Sequence, residues 1–211
     1  MSNLNQINNW KSQIKGEAGP ELYIAQRYVM NPLLIGGKKF DLRIYALVTN
    51  YNPLTIYLYK TGFARFTHQR YSTNSEDISN NMVHLTNVAI QKNSDNYDEK
   101  SGGKWDLRSL KVYLISKFGA TKINALFIEL QEIILKSFYS VQKVIMNDKH
   151  CFELYGYDLL IDENLKPWLI EINANPSLSS NTQSDNEMKV KMLDDMMTVL
   201  DLERMYIYYT Y

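Results

Sequence analysis

The 211-residue chain carries 23 basic and 23 acidic residues, and 45% of its residues are hydrophobic. This composition is typical of a globular domain with one substantial core. The charge balance excludes the overall basic field of a nucleic-acid or membrane-surface protein, so an acidic partner would need a local patch. One cysteine excludes an internal disulfide, and no run of about 18 apolar residues is present. We therefore predict a soluble protein of a reducing compartment, with no nucleic acid or membrane among its partners.

The first predicted strand covers residues 22–30, after a lead-in segment, residues 1–22, with only a weak helical pattern. The strand is rich in β formers and ends at Asn31-Pro32. Gln26 and Tyr28 would also allow its backbone to pair with a purine ring. A buried core strand is the favoured interpretation.

A row of charged residues marks the next predicted strand. Lys39, Asp41 and Arg43 alternate with apolar residues, so they share one face of an extended segment. Such a row is either an exposed surface or the wall of an active site. Residues 46–48 are apolar on both faces, which favours a central strand and therefore the wall. Arg65, between apolar neighbours on a later strand, requires a carboxylate or phosphate partner.

The middle of the chain combines a long polar loop, residues 67–104, with a helical region. Loops of this length are typical of functional segments or disorder. His84 in this loop is as compatible with a structural role as with catalysis, and the default expectation for Lys104 is that it faces water. Asp106 predicts the cap of a helix that ends at Gly119.

Two further helices are predicted from apolar spacing. One begins near Thr121 and carries apolar residues three and four positions apart, which predicts a buried stripe. The other follows the capping-box pattern Ser184-Asp-Asn-Glu187. Its methionines, at positions 188, 192 and 196, favour core packing over a binding groove.

Residues 152–176 predict a β-hairpin with a polar turn at residues 162–164. Glu171 and Asn173 share one face of the second strand, and a loop with an even number of residues places Asp158 on the same face. Three oxygen ligands then converge.

The same face is predicted to carry Leu160 and Leu169, so it differs from an ordinary solvated face. Two carboxylates that are close together and partly desolvated repel each other unless a cation lies between them. Mg²⁺ is the hard cation that is usually held by carboxylates and substrate phosphates. The alternative is that Asp158 and Glu171 are solvated residues on an amphipathic hairpin.

Six motifs in register resemble the tubulin tyrosine ligase-like family, and above all its probable polyglutamylases. The motifs are Gln26-Arg-Tyr-Val29, Lys38-Lys-Phe-Asp-Leu-Arg43, Gly62-Phe-Ala-Arg-Phe66, His84-Leu-Thr-Asn87, Gly156-Tyr-Asp158 and Trp168-Leu-Ile-Glu-Ile-Asn173. The resemblance implies an α+β protein of the ATP-grasp fold, with an antiparallel sheet and packed helices. Residues 23–204 would form the C-terminal part of that domain, and residues 205–211 a tail.

The resemblance also implies the chemistry of an ATP-dependent ligase. A side-chain carboxylate on a tubulin C-terminal tail would be phosphorylated by ATP, and the amino group of L-glutamate would displace the phosphate. Conversion to an acyl phosphate supplies a leaving group to an otherwise poor electrophile. The implied location is the cytoplasm and its microtubule cytoskeleton, including the axoneme or basal body of a cilium.

The family motifs imply a role for each matching residue. The ATP contacts would be Gln26, Arg27, Tyr28, Val29, Lys39, Asp41, Thr86 and Asn87. Arg43 would stabilise the acyl phosphate and its tetrahedral successor. Arg65 and Lys104 would hold glutamate by its carboxylates. Two Mg²⁺ ions would bind to Asp158, Glu171 and Asn173.

The sequence departs from the family at its beginning. Members carry an N-terminal lobe, a nucleotide-binding lysine and a glycine-rich phosphate loop before this segment, and residues 1–22 do not supply them. We therefore expect the chain to correspond to the C-terminal half of the enzyme. Two alternatives remain: a ligase of glycine or tyrosine, and a non-catalytic microtubule or basal-body component that retains the fold.

Overall fold

The computed structural model describes residues 26–74, 76–91, 103–148, 150–180 and 182–202, together with Asn5 and Ile24. The strands in these ranges are β1 (Leu34–Ile35), β2 (Lys38–Tyr51), β3 (Leu54–Phe66), β4 (Lys104–Asp106), β5 (Glu153–Ile161) and β6 (Pro167–Asn173). The helices are α1 (Asn81–His84), α2 (Val88–Gln91), α3 (Leu107–Phe118), α4 (Ala120–Val141) and α5 (Gln183–Leu200). None of these helices is both long enough and apolar enough to cross a membrane.

The six described strands form one antiparallel sheet in the order β4-β3-β2-β5-β6, with β1 paired to β2. Strand β2 is central, as its two-sided apolar stretch predicts. The hairpin of β5 and β6 is also confirmed, and Pro167 opens its second strand. An antiparallel sheet with packed helices confirms the α+β class.

Helices α3 and α4 cover one face of the sheet. Phe40, Leu42 and Ile44 of β2 belong to one apolar cluster with buried residues of both helices. Asp106 caps α3 by accepting a hydrogen bond from Ser109 N, as predicted. Gly119, with φ 87°, separates the two helices, in a conformation that residues with a side chain rarely adopt.

Helix α5 packs on the opposite face of the sheet. Met192 is buried against Tyr45 and Phe63, which confirms the core role of the methionines. The predicted capping box of Ser184 and Glu187 is wrong. The N-cap is Thr182, which accepts a hydrogen bond from Asp185 N, and Ser184 lies inside the helix. The helix therefore begins before the capping-box pattern.

Residues 26–30 do not form the predicted strand. They have no regular secondary structure and are mostly exposed. Both edges of β2 are already paired, with β3 and β5, so the β propensity of this segment finds no partner strand there. The chain next contacts the β5–β6 turn, where Leu33 N donates to Ile161 O at 2.8 Å. Residues 22, 23 and 25 lie outside the described residues.

Candidate active site

The face of the sheet opposite α3 and α4 borders a polar cavity of about 760 Å³. Strands β2 to β6 and the α1–α2 connection each contribute to its lining. Nine residues predicted for the site line this cavity: Asp41, Arg43, Arg65, Thr86, Asn87, Lys104, Asp158, Glu171 and Asn173. Sequence positions more than 130 residues apart thus meet in one place.

Four charged side chains form a buried network at the centre of this cavity. Arg43 donates to both carboxylate oxygens of Asp158, from Nε at 2.5 Å and from Nη2 at 3.0 Å. Arg65 donates to both oxygens of Asp41, and its Nη2 also lies 2.8 Å from Asp158 Oδ2. All four side chains are nearly inaccessible to solvent. Two guanidinium groups and two carboxylates are together neutral, which makes their burial tolerable.

The backbone register explains this network. Asp41 lies opposite Arg65 in the β2–β3 pair, and Arg43 lies opposite Asp158 in the β2–β5 pair. Opposed residues on paired strands project to the same face, so each acid meets a base across the sheet. The predicted need of Arg65 for an anionic partner is confirmed. Asp41 and Arg43 of the charged row on β2 line the cavity, as predicted for an active-site wall, whereas Lys39 does not.

The network fixes the charge states of Asp158 and Arg65. Burial by itself would raise the pKa of the Asp158 carboxyl, but the hydrogen bonds and charges of Arg43 and Arg65 outweigh burial and lower it. Burial opposes the charged form of Arg65 too, yet Asp41 and Asp158 raise the pKa of its guanidinium. Asp158 and Arg65 are therefore both charged at neutral pH.

Asp158 and Glu171 are opposed on β5 and β6, and Asn173 follows two residues later. Asn173 Nδ2 donates to Glu171 Oε1 at 3.1 Å and to Gly156 O at 3.4 Å, so its amide oxygen is the group left for a ligand. A carboxylate has about four acceptor positions, of which three at Asp158 meet guanidinium groups. One acceptor position of the Asp158 carboxylate therefore remains for a ligand.

These three donors fit a hard divalent cation whose coordination is completed by phosphate oxygens. No group of three or more His, Cys, Asp or Glu side chains in the described ranges could hold a metal alone. The expected set has two carboxylates and one amide, so water and phosphate oxygens would have to supply the remaining ligands.

One detail of the predicted face is wrong. A β-bulge follows the Asp158–Glu171 pair, because Leu159 pairs with Leu169 and leaves Ile170 as an extra residue. Ile170 therefore lines the cavity, while Leu169 packs against the apolar core on the other face. A one-residue bulge reverses the alternation on which the prediction for Leu169 depended.

Lys104, Asp185 and Lys189 form a second charged group at the cavity. Lys104 Nζ lies 2.7 Å from Asp185 Oδ2 and 4.5 Å from the centre of the Phe63 ring, so the default expectation that it faces water is wrong. Burial lowers the pKa of the Lys104 amine, against the opposing effect of Asp185. Lys189 Nζ contacts the same oxygen at 3.3 Å and donates to Ser179 O at 2.5 Å.

Lys189 is a cavity residue that the sequence analysis missed. Its signal is the inward stripe of α5, which comprises Asp185, Lys189, Met192 and Met196 and so includes an acid–base pair four residues apart. Charged residues on the buried side of a helix indicate a polar site beneath it.

Thr86 and Asn87 are held at the cavity by a buried glutamine. Gln91 accepts a hydrogen bond from His68 N at 2.7 Å and donates to Leu85 O. These bonds tie the α1–α2 connection to the segment that follows β3. The loop is therefore ordered at the point where it reaches the cavity.

The remaining predicted ATP contacts do not line this cavity. Gln26 and Arg27 are exposed, and Val29 is half-buried. Tyr28 and Lys39 instead belong to a neighbouring polar cluster, in which Lys39 Nζ donates to Tyr28 OH at 3.1 Å and to His84 O at 2.8 Å.

His84 has partners for both ring nitrogens, Tyr28 OH at 2.9 Å and Asp77 O at 3.0 Å, which favours its structural role. Burial lowers the pKa of the Lys39 amine to about 8, partly opposed by Asp41. Lys39 lies two residues before Asp41 on the same face of β2, so this cluster adjoins the charged network.

A cavity that combines buried carboxylates with basic groups defines a site for a charged ligand. The family model for the tubulin-tyrosine ligase family matches residues 2–206, and the chain belongs to this family. It is 54% identical over 189 residues to the probable tubulin polyglutamylase TTLL9 of Rattus norvegicus, covering 90% of this chain and 41% of that protein.

Two further relatives carry related names. The chain is 54% identical over 180 residues to the probable alpha-tubulin polyglutamylase Ttll1 of Tetrahymena thermophila, covering 85% of this chain and 44% of that protein. It is 40% identical over 195 residues to the tubulin polyglutamylase TTLL5 of Mus musculus, covering 85% of this chain and 14% of that protein. The chain thus spans less than half the length of each of these three relatives.

Proposed function

We propose that this chain is the C-terminal catalytic part of an ATP-dependent tubulin polyglutamylase with the ATP-grasp fold. The observation that carries the proposal is the single cavity in which nine predicted site residues converge. Relatives of the same family that are named tubulin polyglutamylases support the choice of substrate. The product is an isopeptide bond between L-glutamate and a side-chain carboxylate of a tubulin C-terminal tail.

The reaction has two steps. An oxygen of the tail carboxylate attacks the terminal phosphorus of ATP, and ADP leaves. The amino nitrogen of glutamate then attacks the carbonyl carbon of the acyl phosphate, the nitrogen loses a proton, and inorganic phosphate leaves. Both steps develop negative charge, which fixed cations in a water-poor site stabilise.

Arg43 is proposed to stabilise the acyl phosphate and its tetrahedral successor. Asp158 already fixes the orientation of the Arg43 guanidinium by accepting hydrogen bonds from Nε and Nη2. Arg65 is held by Asp41 in the same manner. A guanidinium that is held in place before the reaction loses less conformational entropy when the charge develops.

Glutamate is proposed to bind through its carboxylates to Arg65 and Lys104, both of which line the cavity. Asp41, Thr86 and Asn87 lie on the same cavity and are proposed to contact ATP, with Lys39 and residues 26–29 beside it. Asp158, Glu171 and Asn173 would hold Mg²⁺, which neutralises the nucleotide phosphates when bound. The proposed site would hold two Mg²⁺ ions, the number that the family resemblance implies.

The experiment uses the full-length protein with microtubules, Mg-ATP, and labelled glutamate, glycine or tyrosine. We expect ATP-dependent label on tubulin from glutamate and not from the other two amino acids. Transfer of glycine or tyrosine instead would identify another ligase of the family. Microtubule binding without transfer of any label would indicate a non-catalytic component and overturn the proposal.

A further inference from the structure

Gly156 on β5 lies against two residues of the candidate site. A methyl group added at Gly156 would meet Pro176 Cβ at 2.8 Å, and it would meet both Cδ and Nη1 of Arg43 at 3.3 Å. The first distance is shorter than real side chains adopt. Pro176 and the Arg43 side chain therefore occupy the space that any other residue at position 156 would fill.

The backbone of Gly156 does not itself require glycine. Its φ is outside the left-handed range, and it continues the regular pairing of β5 with Tyr45 of β2 and Asn173 of β6. Only the space above its Cα explains the residue type. This space lies on the sheet face that carries Arg43 and Asp158, because Asp158 follows Gly156 by two residues on the same strand.

Pro176 covers the space next to the Cα of Gly156. It is buried, lines the cavity and follows the last residue of β6 by three positions, so the chain folds back over β5 there. A few residues later, Ser179 O is held by the ammonium group of Lys189. The segment that covers Gly156 is thus fixed on both sides of the contact.

We propose that Gly156 and Pro176 are positioning residues for Arg43. Glycine lets the guanidinium lie close against β5, and the proline ring confines it there, in the plane in which it donates twice to Asp158. The catalytic consequence rests on the proposed ligase function, because Arg43 is the residue that would stabilise the reacting groups.

The test measures glutamate transfer by the full-length protein as kcat and KM for wild type, Gly156→Ala, Pro176→Gly and the double variant. We expect Gly156→Ala to lower kcat on the order of 10- to 100-fold, because displacement of a catalytic group by about 1 Å has effects of this size. KM values for ATP and tubulin should stay within about twofold, since neither residue is proposed to bind them.

The double variant should recover part of the lost kcat, because Pro176→Gly removes the atom that the new methyl group would meet. Pro176→Gly alone should lower kcat by a smaller factor and adds no atoms, so it tests the contact even if Gly156→Ala does not fold. In an Arg43→Lys background, Gly156→Ala should lower kcat much less than in the wild type.

An unchanged kcat in Gly156→Ala, or in Pro176→Gly, would overturn the positioning role. Equal kcat losses from Gly156→Ala in the wild-type and Arg43→Lys backgrounds would also overturn it. Absence of transfer by the wild-type protein would instead contradict the proposed function, so the two failures are distinguishable.

Discussion

The two faces of β2 are buried to a similar extent by different means. Phe40 and Leu42 are fully buried under α3 and α4, whereas Asp41 and Arg43 on the other face are 7% and 8% exposed. The apolar face gains stability from contact area, which does not depend on the direction of approach. The charged face is stable only while every charge retains its partner.

This difference predicts different responses to mutation. Loss of one apolar side chain leaves a cavity whose cost depends on local relaxation. Loss of one charged side chain leaves an opposite charge buried without compensation. The charged face is thus the less tolerant of the two, and it is also the face that borders the candidate active site.

Removal of Arg65 should have the largest effect. In Arg65→Ala, Asp41 and Asp158 lose a shared cation, and we expect a loss of about 3–5 kcal/mol in the free energy of unfolding. Lys60→Ala is the matched control, because Lys60 forms an exposed ion pair with Asp195 at 4.0 Å. Urea unfolding should show that Lys60→Ala lowers the free energy of unfolding by less than about 1 kcal/mol. Equal losses would contradict the importance of burial.

On the apolar face, Leu130→Ala should cost about 2–5 kcal/mol, because Leu130 is buried in the cluster under the sheet. Ile128 lies on the same helix and is 56% exposed, so Ile128→Ala should change stability by about 0.5 kcal/mol. The same unfolding measurement checks both variants. A similar loss for both would show that α4 does not pack through the predicted stripe.

Lys39 gives the charged face a pH dependence. Its pKa is lowered to about 8 in the folded protein from 10.5, so between these pH values the unfolded chain binds more protons than the folded chain. Stability should therefore rise with pH across this window, relative to Lys39→Met, by at most about 1.4 kcal/mol per pH unit. Unfolding at several pH values measures the difference, and a constant difference would refute the shifted pKa.

The smallest effect concerns the start of α5. Thr182→Ala should lower stability by about 1 kcal/mol, because Thr182 accepts the hydrogen bond from Asp185 N. Ser184→Ala lies inside the helix and should have little effect. A larger loss of stability in Ser184→Ala than in Thr182→Ala would support the capping box that the sequence predicts.

Sequence patterns were sufficient where local rules decide the structure. The alternation around Lys39, Asp41 and Arg43 predicted the charged wall because a strand has only two faces. The cap at Asp106 and the stop at Gly119 were predicted because both depend on a few neighbouring residues. The hairpin of β5 and β6 followed from its turn and apolar strands.

The errors have a different cause, because they depend on partners distant in sequence. Residues 26–30 have β propensity but find both edges of β2 already paired. Leu169 lies on the opposite face from the predicted one because of a β-bulge that no local sequence pattern predicts. Lys104 required Asp185, which is 81 positions away, to make its burial tolerable. The roles assigned to the site residues remain predictions.

The most direct test of the central claim is glutamate transfer by the full-length Glu171→Gln variant. Glu171 is exposed, so the substitution should change the free energy of unfolding by about 0.5 kcal/mol or less. Because Glu171 is a proposed Mg²⁺ ligand, the substitution should lower the rate of glutamate transfer to tubulin on the order of 100-fold or more. A folded variant with wild-type turnover would contradict the assignment of this cavity as a metal-dependent ligase site.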